Sequence, residues 1–119
     1  MSEPVDNLKE AMPLTPAVFQ ILLALADEER HGYGIMREIL SNTGGKMRMG
    51  PGTLYGTIKR MLEQGLIKES NERPDPELDD ERRRYYQLTD FGAKAGRAET
   101  TRLDNLLKTA RRKGFATAT

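Results

Sequence analysis

The sequence predicts a mainly α-helical domain with a two-stranded β wing, followed by one long C-terminal helix. Three observations carry that expectation. Apolar residues recur at helical spacing in several separate segments, two short β-prone runs flank an acidic stretch containing Pro74 and Pro76, and a length of 119 residues leaves room for one core.

At the start, Val5, Leu8 and Met12 fall at i, i+3 and i+7, which predicts a short amphipathic helix stopped by Pro13. Thr15 followed by Pro16 is an N-cap and first-turn signature. Val18, Phe19, Ile21, Leu22, Leu23, Leu25 and Ala26 then leave few polar positions, so a helix over about 15–28 is expected to be buried almost all round. Asp27 to Arg30 form a charged turn. His31-Gly32-Tyr33-Gly34 opens the next helix, in which Ile35, Ile39 and Leu40 follow helical spacing and which ends near Thr43, before Gly44-Gly45.

A third core helix begins at Pro51-Gly52 or Thr53 and places Leu54, Ile58, Met61 and Leu62 on one face, with Gly65 as its C-cap. Leu66 to Ser70 reads as a strand and Arg84 to Leu88 as its antiparallel partner, joined by the acidic stretch from Asn71 to Arg82. Thr89-Asp90 caps a final helix of roughly two dozen residues. Phe91, Ala95 and Ala98, then Leu103, Leu106, Leu107 and Ala110, point inward, and Arg111-Arg112-Lys113-Gly114 ends the helix. The tail from Phe115 to Thr119 reads as disordered.

Three compact helices and a hairpin are the order of a winged helix-turn-helix. The boundaries that follow are residues 1–88 for that domain with its short N-terminal helix, 89–114 for the last helix, and 115–119 for the tail. One small domain has no core left for the last helix to cover, so its apolar stripe needs a second chain.

Composition narrows the function. Hydrophobic residues make up 37% and charged residues 31%, enough for a core under a well-solvated surface. With no cysteine there is no disulfide framework or thiolate metal site, and His31 is the lone histidine. No nucleophile and base pair, metal cluster or phosphate-cradling loop can be assembled, so neither an enzyme nor a cofactor is expected. The apolar run from Ala17 to Ala26 contains Gln20 and is too short for a membrane span, and the first residues lack the pattern of a signal peptide. The expectation is a soluble, cytoplasmic protein.

The net charge of +1 hides segregation. Residues 31–70 carry six Lys/Arg against three Asp/Glu, and residues 89–119 carry seven against three, while residues 71–88 carry four against six. Nucleic acid senses the field of one face rather than the total, so near-neutrality does not exclude it. On a wheel of about 100° per residue, the side of the Pro51 helix opposite its apolar face carries Thr53, Gly56, Lys59, Arg60 and Glu63. Short residues, N-terminal donors and long cations are what a recognition helix requires, although an ordinary solvated helix face has a similar composition.

His31-Gly32-Tyr33-Gly34-Ile35, Gly52-Thr53-Leu54-Tyr55, Gly65-Leu66-Ile67 and Arg84-Tyr85-Tyr86-Gln87-Leu88-Thr89 with Gly92 resemble, in content, order and spacing, the PadR family of bacterial transcriptional regulators. The resemblance spans about residues 15–95. It implies a winged-helix homodimer that binds operator DNA and usually represses transcription. It also implies a dimer interface built from the C-terminal helix and the partner's N-terminal helix, here Leu103, Leu106, Leu107 and Ala110 with Val5, Leu8 and Met12. The family pattern puts Tyr33, Thr53 and Tyr55 near phosphate, with Gly56, Thr57, Lys59 and Arg60 on the helix directed at the major groove. Tyr33 and Tyr55 also admit a reading as core aromatics with exposed hydroxyls, and His31 reads as a packing residue at a helix start.

Several departures bear on this. Gly56 stands where the family commonly has proline, Asp80 and Glu81 replace the usual glycine and arginine of the wing tip, and the tryptophan of the C-terminal helix is absent. A sensor of aromatic drugs therefore loses support, and no inducer is identified. Arg82, Arg83 and Arg84 are the wing's candidate phosphate contacts, or else partners of the acidic loop. The competing reading of the whole chain is a winged helix that serves protein assembly.

Overall fold

Local capping chemistry sets the element boundaries in the structure, a computed structural model that describes residues 4–70 and 84–115. Helix α1 covers Pro4–Ala11 and α2 covers Pro16–Leu25, where the Thr15 hydroxyl accepts from the Val18 N–H at 3.2 Å. α2 ends three residues earlier than about 28 because Arg30 folds back on it. Arg30 Nε donates to the Ala24 carbonyl at 2.7 Å, and its guanidinium reaches Glu28 at 3.1 Å, Glu38 at 3.4 Å and Asp27 at 3.5 Å. A side chain thus takes a carbonyl that a further turn of helix would have taken.

The two-stranded wing is in fact part of a three-stranded sheet. Strand β1, Arg30–His31, pairs antiparallel with β3, Tyr85–Leu88, which pairs on its other side with β2, Ile67–Glu69. The register sets Arg30 opposite Tyr86 and His31 opposite Tyr85 on one side, and Ile67 opposite Leu88 and Glu69 opposite Tyr86 on the other. Two residues are too few to show alternation, so β1 left no signal in the sequence. His31 then caps α3, Gly32–Asn42, its Nδ1 accepting from the Gly34 N–H at 3.0 Å.

Helix α4, Pro51–Glu63, ends as its glycine predicts: Gly65 has φ +77°, its N–H donates to the Leu62 carbonyl at 3.1 Å, and the Leu66 N–H donates to Met61 at 3.0 Å. Leu66 is thereby used in the cap, which explains why β2 starts at Ile67. The core gathers Ile21, Leu22, Ala24 and Leu25 of α2, Ile35 and Ile39 of α3, Leu54, Ile58 and Met61 of α4, and Leu66, Ile67 and Tyr86 of the sheet. α2 is less enclosed than its composition implies, because Leu23 and Ala26 lie on the surface.

Helix α5, Asp90–Arg112, starts at Thr89, whose hydroxyl accepts from the Gly92 N–H at 2.9 Å. Gly92 is buried against β2's entry, and a Cβ there would overlap the Leu66 carbonyl oxygen. Gly92→Ala should therefore destabilise the fold by about 1–3 kcal/mol, although alanine favours a helix by about 1 kcal/mol. A shifted urea midpoint tests this, and an unchanged or raised midpoint would contradict it. The far end of α5 is closed by Gly114, φ +86°, with the Phe115 N–H donating to the Ala110 carbonyl at 2.9 Å. Phe115 is thus part of the helix cap rather than of a tail, while residues 116–119, like the acidic stretch 71–83, lie outside those described.

Glu99, on the buried side of α5, was not singled out by the sequence. It is 2% exposed, accepts from the Leu14 N–H at 3.2 Å and from Arg102 Nε at 2.9 Å, and so ties the segment between α1 and α2 to α5.

Candidate nucleic-acid interface

The apolar residues of α4 seat its inner face on α2 and α3, which leaves the opposite face in solvent. There Thr53, Tyr55, Lys59, Arg60 and Glu63 are exposed and Gly56 is half-buried. Thr57 is not among them. It is 2% exposed, donates to the Thr53 carbonyl at 2.8 Å and accepts from Arg60 Nη2 at 3.3 Å. Its spacing of i+3 from Leu54 and i−4 from Met61 puts it in phase with the apolar stripe, a signal the sequence did contain. Thr57 therefore corrects the expected surface: its hydroxyl steadies Arg60 from beneath instead of facing outward. A Cβ on Gly56 would come no closer than 4.0 Å to Arg60 Nη1, so the position where proline is usual is sterically open.

At the start of α4, Gly50 occupies the N-cap position and offers no side-chain acceptor, and Pro51 has no N–H to satisfy. The amides of Gly52 and Thr53 are thus left for an anion, beside the Thr53 hydroxyl. Tyr55 serves in packing as well: its ring and hydroxyl lie so close to Gly32 at the start of α3 that a Cβ there would overlap them, yet it stays 41% exposed. Tyr33 is 60% exposed, with the Arg37 guanidinium 5.8 Å from its ring centre and the His31 ring stacked at 6.4 Å. His31 also meets Tyr85 edge-on at 5.2 Å, in keeping with a packing and capping role.

On the sheet, burial above all, with the Glu69 carboxylate nearby, pushes the Tyr86 phenol above its ordinary value. Arg84 is exposed and pairs with Glu69 of β2 at 3.5 Å rather than with the acidic loop. Arg82 and Arg83 lie outside the described residues. Of the residues expected at a second chain, Leu8 and Met12 are half-buried against the core and Val5 lies within α1. Leu103, Leu106 and Leu107 are 36%, 58% and 44% exposed, and Ala110 is half-buried. Within the chain, nothing covers that stripe. It continues toward an apolar groove between α2 and α5, with Leu23 and Thr101 at its edge.

Among the described residues no group of three or more His, Asp or Glu side chains could hold a metal, and no helix is long and apolar enough to cross a membrane. A helix pair α3–α4 packed under α2, backed by a small antiparallel sheet, with an unpaired cationic face on the second helix, defines a winged-helix protein of the nucleic-acid-binding type. The chain belongs to the PadR-like family of transcriptional regulators, whose family model matches residues 21–98. That is a family of regulators and not of enzymes.

Three solved structures place the fold. A transcriptional regulator from Clostridium thermocellum is 23% identical, with 98% of this chain and 99% of that one covered and a TM-score of 0.68. A PadR family transcription regulator from Clostridium difficile is 23% identical over 82% of this chain and 97% of that one, with a TM-score of 0.66. Bacillus subtilis PadR, solved in complex with operator DNA, is 22% identical over 72% of this chain and 46% of that one, with a TM-score of 0.59. A comparison with curated proteins finds no match.

Proposed function

We propose that this regulator binds a pseudo-palindromic operator as a homodimer, with α4 in the major groove, and represses transcription in the cytoplasm of a bacterial cell. The observation that carries the reading is the outer face of α4. Lys59 and Arg60 stand on it without a carboxylate partner among the described residues, next to the uncapped amides at its start. Arg60 is the base-reading candidate, since its fork suits a guanine edge, and Lys59 is the candidate for a phosphate. Residues 1–88 then form the DNA-binding unit and residues 89–114 the pairing helix. Arg84, with Arg82 and Arg83, would anchor the flank of the site by exchanging Glu69 for phosphate. Two copies related by a two-fold axis set the half-sites about 10 bp apart. The relative solved with operator DNA supports the same docking.

Binding of the purified protein to its own promoter region, followed from low to high salt, tests this. Affinity should fall steeply as salt rises, because phosphate contacts release counterions. Arg60→Ala should cost about 1–3 kcal/mol on the operator and relax base preference, whereas Lys59→Ala should weaken all duplexes alike and flatten the salt slope by about one. Operator affinity unchanged in the double variant, with the fold intact, would refute the role of α4. No duplex binding at any salt would favour an assembly module instead.

A further inference from the structure

A second cationic feature lies beside α4 and was not singled out by the sequence. The outer side of α3 and the segment leading into α4 enclose a shallow groove of about 210 Å³ lined by Tyr33, Met36, Arg37, Leu40, Arg48 and Met49. Its floor is apolar: Met49 is buried, and Met36 and Leu40 are half-buried. Its lip is cationic, because Arg37 and Arg48 are both exposed. Neither meets a carboxylate among the described residues. Between residues 32 and 62 the sequence holds five Lys/Arg and a single acid, Glu38, which Arg30 already engages at 3.4 Å. Arg37 is steadied by the Tyr33 ring at 5.8 Å, which reduces the conformational freedom it would lose on gripping an anion.

We infer that this groove seats one sugar-phosphate unit of the DNA backbone, the deoxyribose on Met36, Leu40 and Met49 and the phosphate between Arg37 and Arg48. The inference rests on the DNA-binding reading above and adds to it a contact outside α4. Size and position favour this occupant. The volume is below the usual range for a drug-sized ligand, about 300–1,000 Å³, yet suits a five-membered ring. Arg48 and Met49 run directly into Gly50 at the N-cap of α4, so a strand bordering the groove that α4 enters passes over them. An apolar floor with a cationic rim matches the alternation of sugar and phosphate. Such a contact fixes register and orientation but reads no sequence.

The test is the double variant Arg37→Gln with Arg48→Gln in the full chain. Its affinity for the promoter fragment and for a shuffled duplex of equal length would be measured by fluorescence anisotropy from low to moderate KCl. One lost phosphate contact should flatten the dependence of log K on log salt by about 0.9, and near 0.1 M salt both duplexes should lose about tenfold. The pair Arg37→Lys with Arg48→Lys keeps the charge and should keep the wild-type slope. An unchanged slope in the glutamine variant overturns the inference. So does a loss confined to the promoter fragment, or an equal loss in the lysine pair. Each of those results leaves the wild type binding DNA. A wild type that binds neither duplex instead removes the DNA-binding reading itself.

Discussion

Replacing Leu103 and Leu107 together by glutamate is expected to convert a dimer into a folded monomer of 13.4 kDa and to cut operator affinity by about a hundredfold or more. The two side chains sit one turn apart on α5 and are 36% and 44% exposed within their own chain, so the monomer's core loses little. Across a proposed two-fold axis each substitution counts twice. Burying a leucine contributes about 1.5–3 kcal/mol, and a carboxylate in its place adds desolvation and like-charge repulsion. Operator binding falls further than either half-site alone would suggest, because the second half-site loses the effective concentration that a linked partner supplies. Sedimentation at micromolar concentration reads the mass, and far-UV circular dichroism shows whether the helices persist. A wild type that sediments as a monomer under those conditions would defeat the homodimer proposal.

How far this was legible in the sequence varies with the range of the interaction. Helices were readable because capping and periodicity are local: Thr15, Gly65 and Thr89 each stand where their chemistry acts. The outer face of α4 followed from the same geometry, and Thr57 was misplaced there only because its polarity was weighed above its phase. What escaped depends on distant partners. The pairing of β1 with β3 joins Arg30 to Tyr86, and the Glu99 carboxylate finds the Leu14 amide 85 positions away. A glutamate four residues before Leu103 looks like any solvated helix position until the segment before α2 is laid over it. Arg37 and Arg48 were lost among scattered charges, because only the packing of α3 against α4's entry brings them to one groove.

Glu99 should also give the fold a distinct response to acid, with consequences for the proposed dimer because it lies one turn before Leu103. Hydrogen bonds from Arg102 outweigh the opposing effect of burial, and with the Leu14 amide they hold its carboxyl below the ordinary value of 4.5. A lowered folded value means that the unfolded chain takes up the proton first. The stability Glu99 contributes is therefore complete above about pH 4.5 and drains away as the pH falls through the folded value. Glu99→Ala leaves the buried Leu14 N–H without its acceptor, a loss of about 1–3 kcal/mol at neutral pH. Glu99→Gln keeps an acceptor but no charge, so it should be less stable than wild type at pH 7 and converge with it in acid. Arg102→Met makes a sharper test, because it removes the interaction that outweighs burial. The carboxyl then rises above its ordinary value, and the contribution changes sign: this variant should gain stability as the pH drops from neutral toward 5, where wild type holds steady. Urea midpoints recorded from pH 3 to 8 on all four proteins decide it. If wild type and Glu99→Gln run parallel through the acid range, the carboxylate is not the group that links the α1–α2 segment to α5.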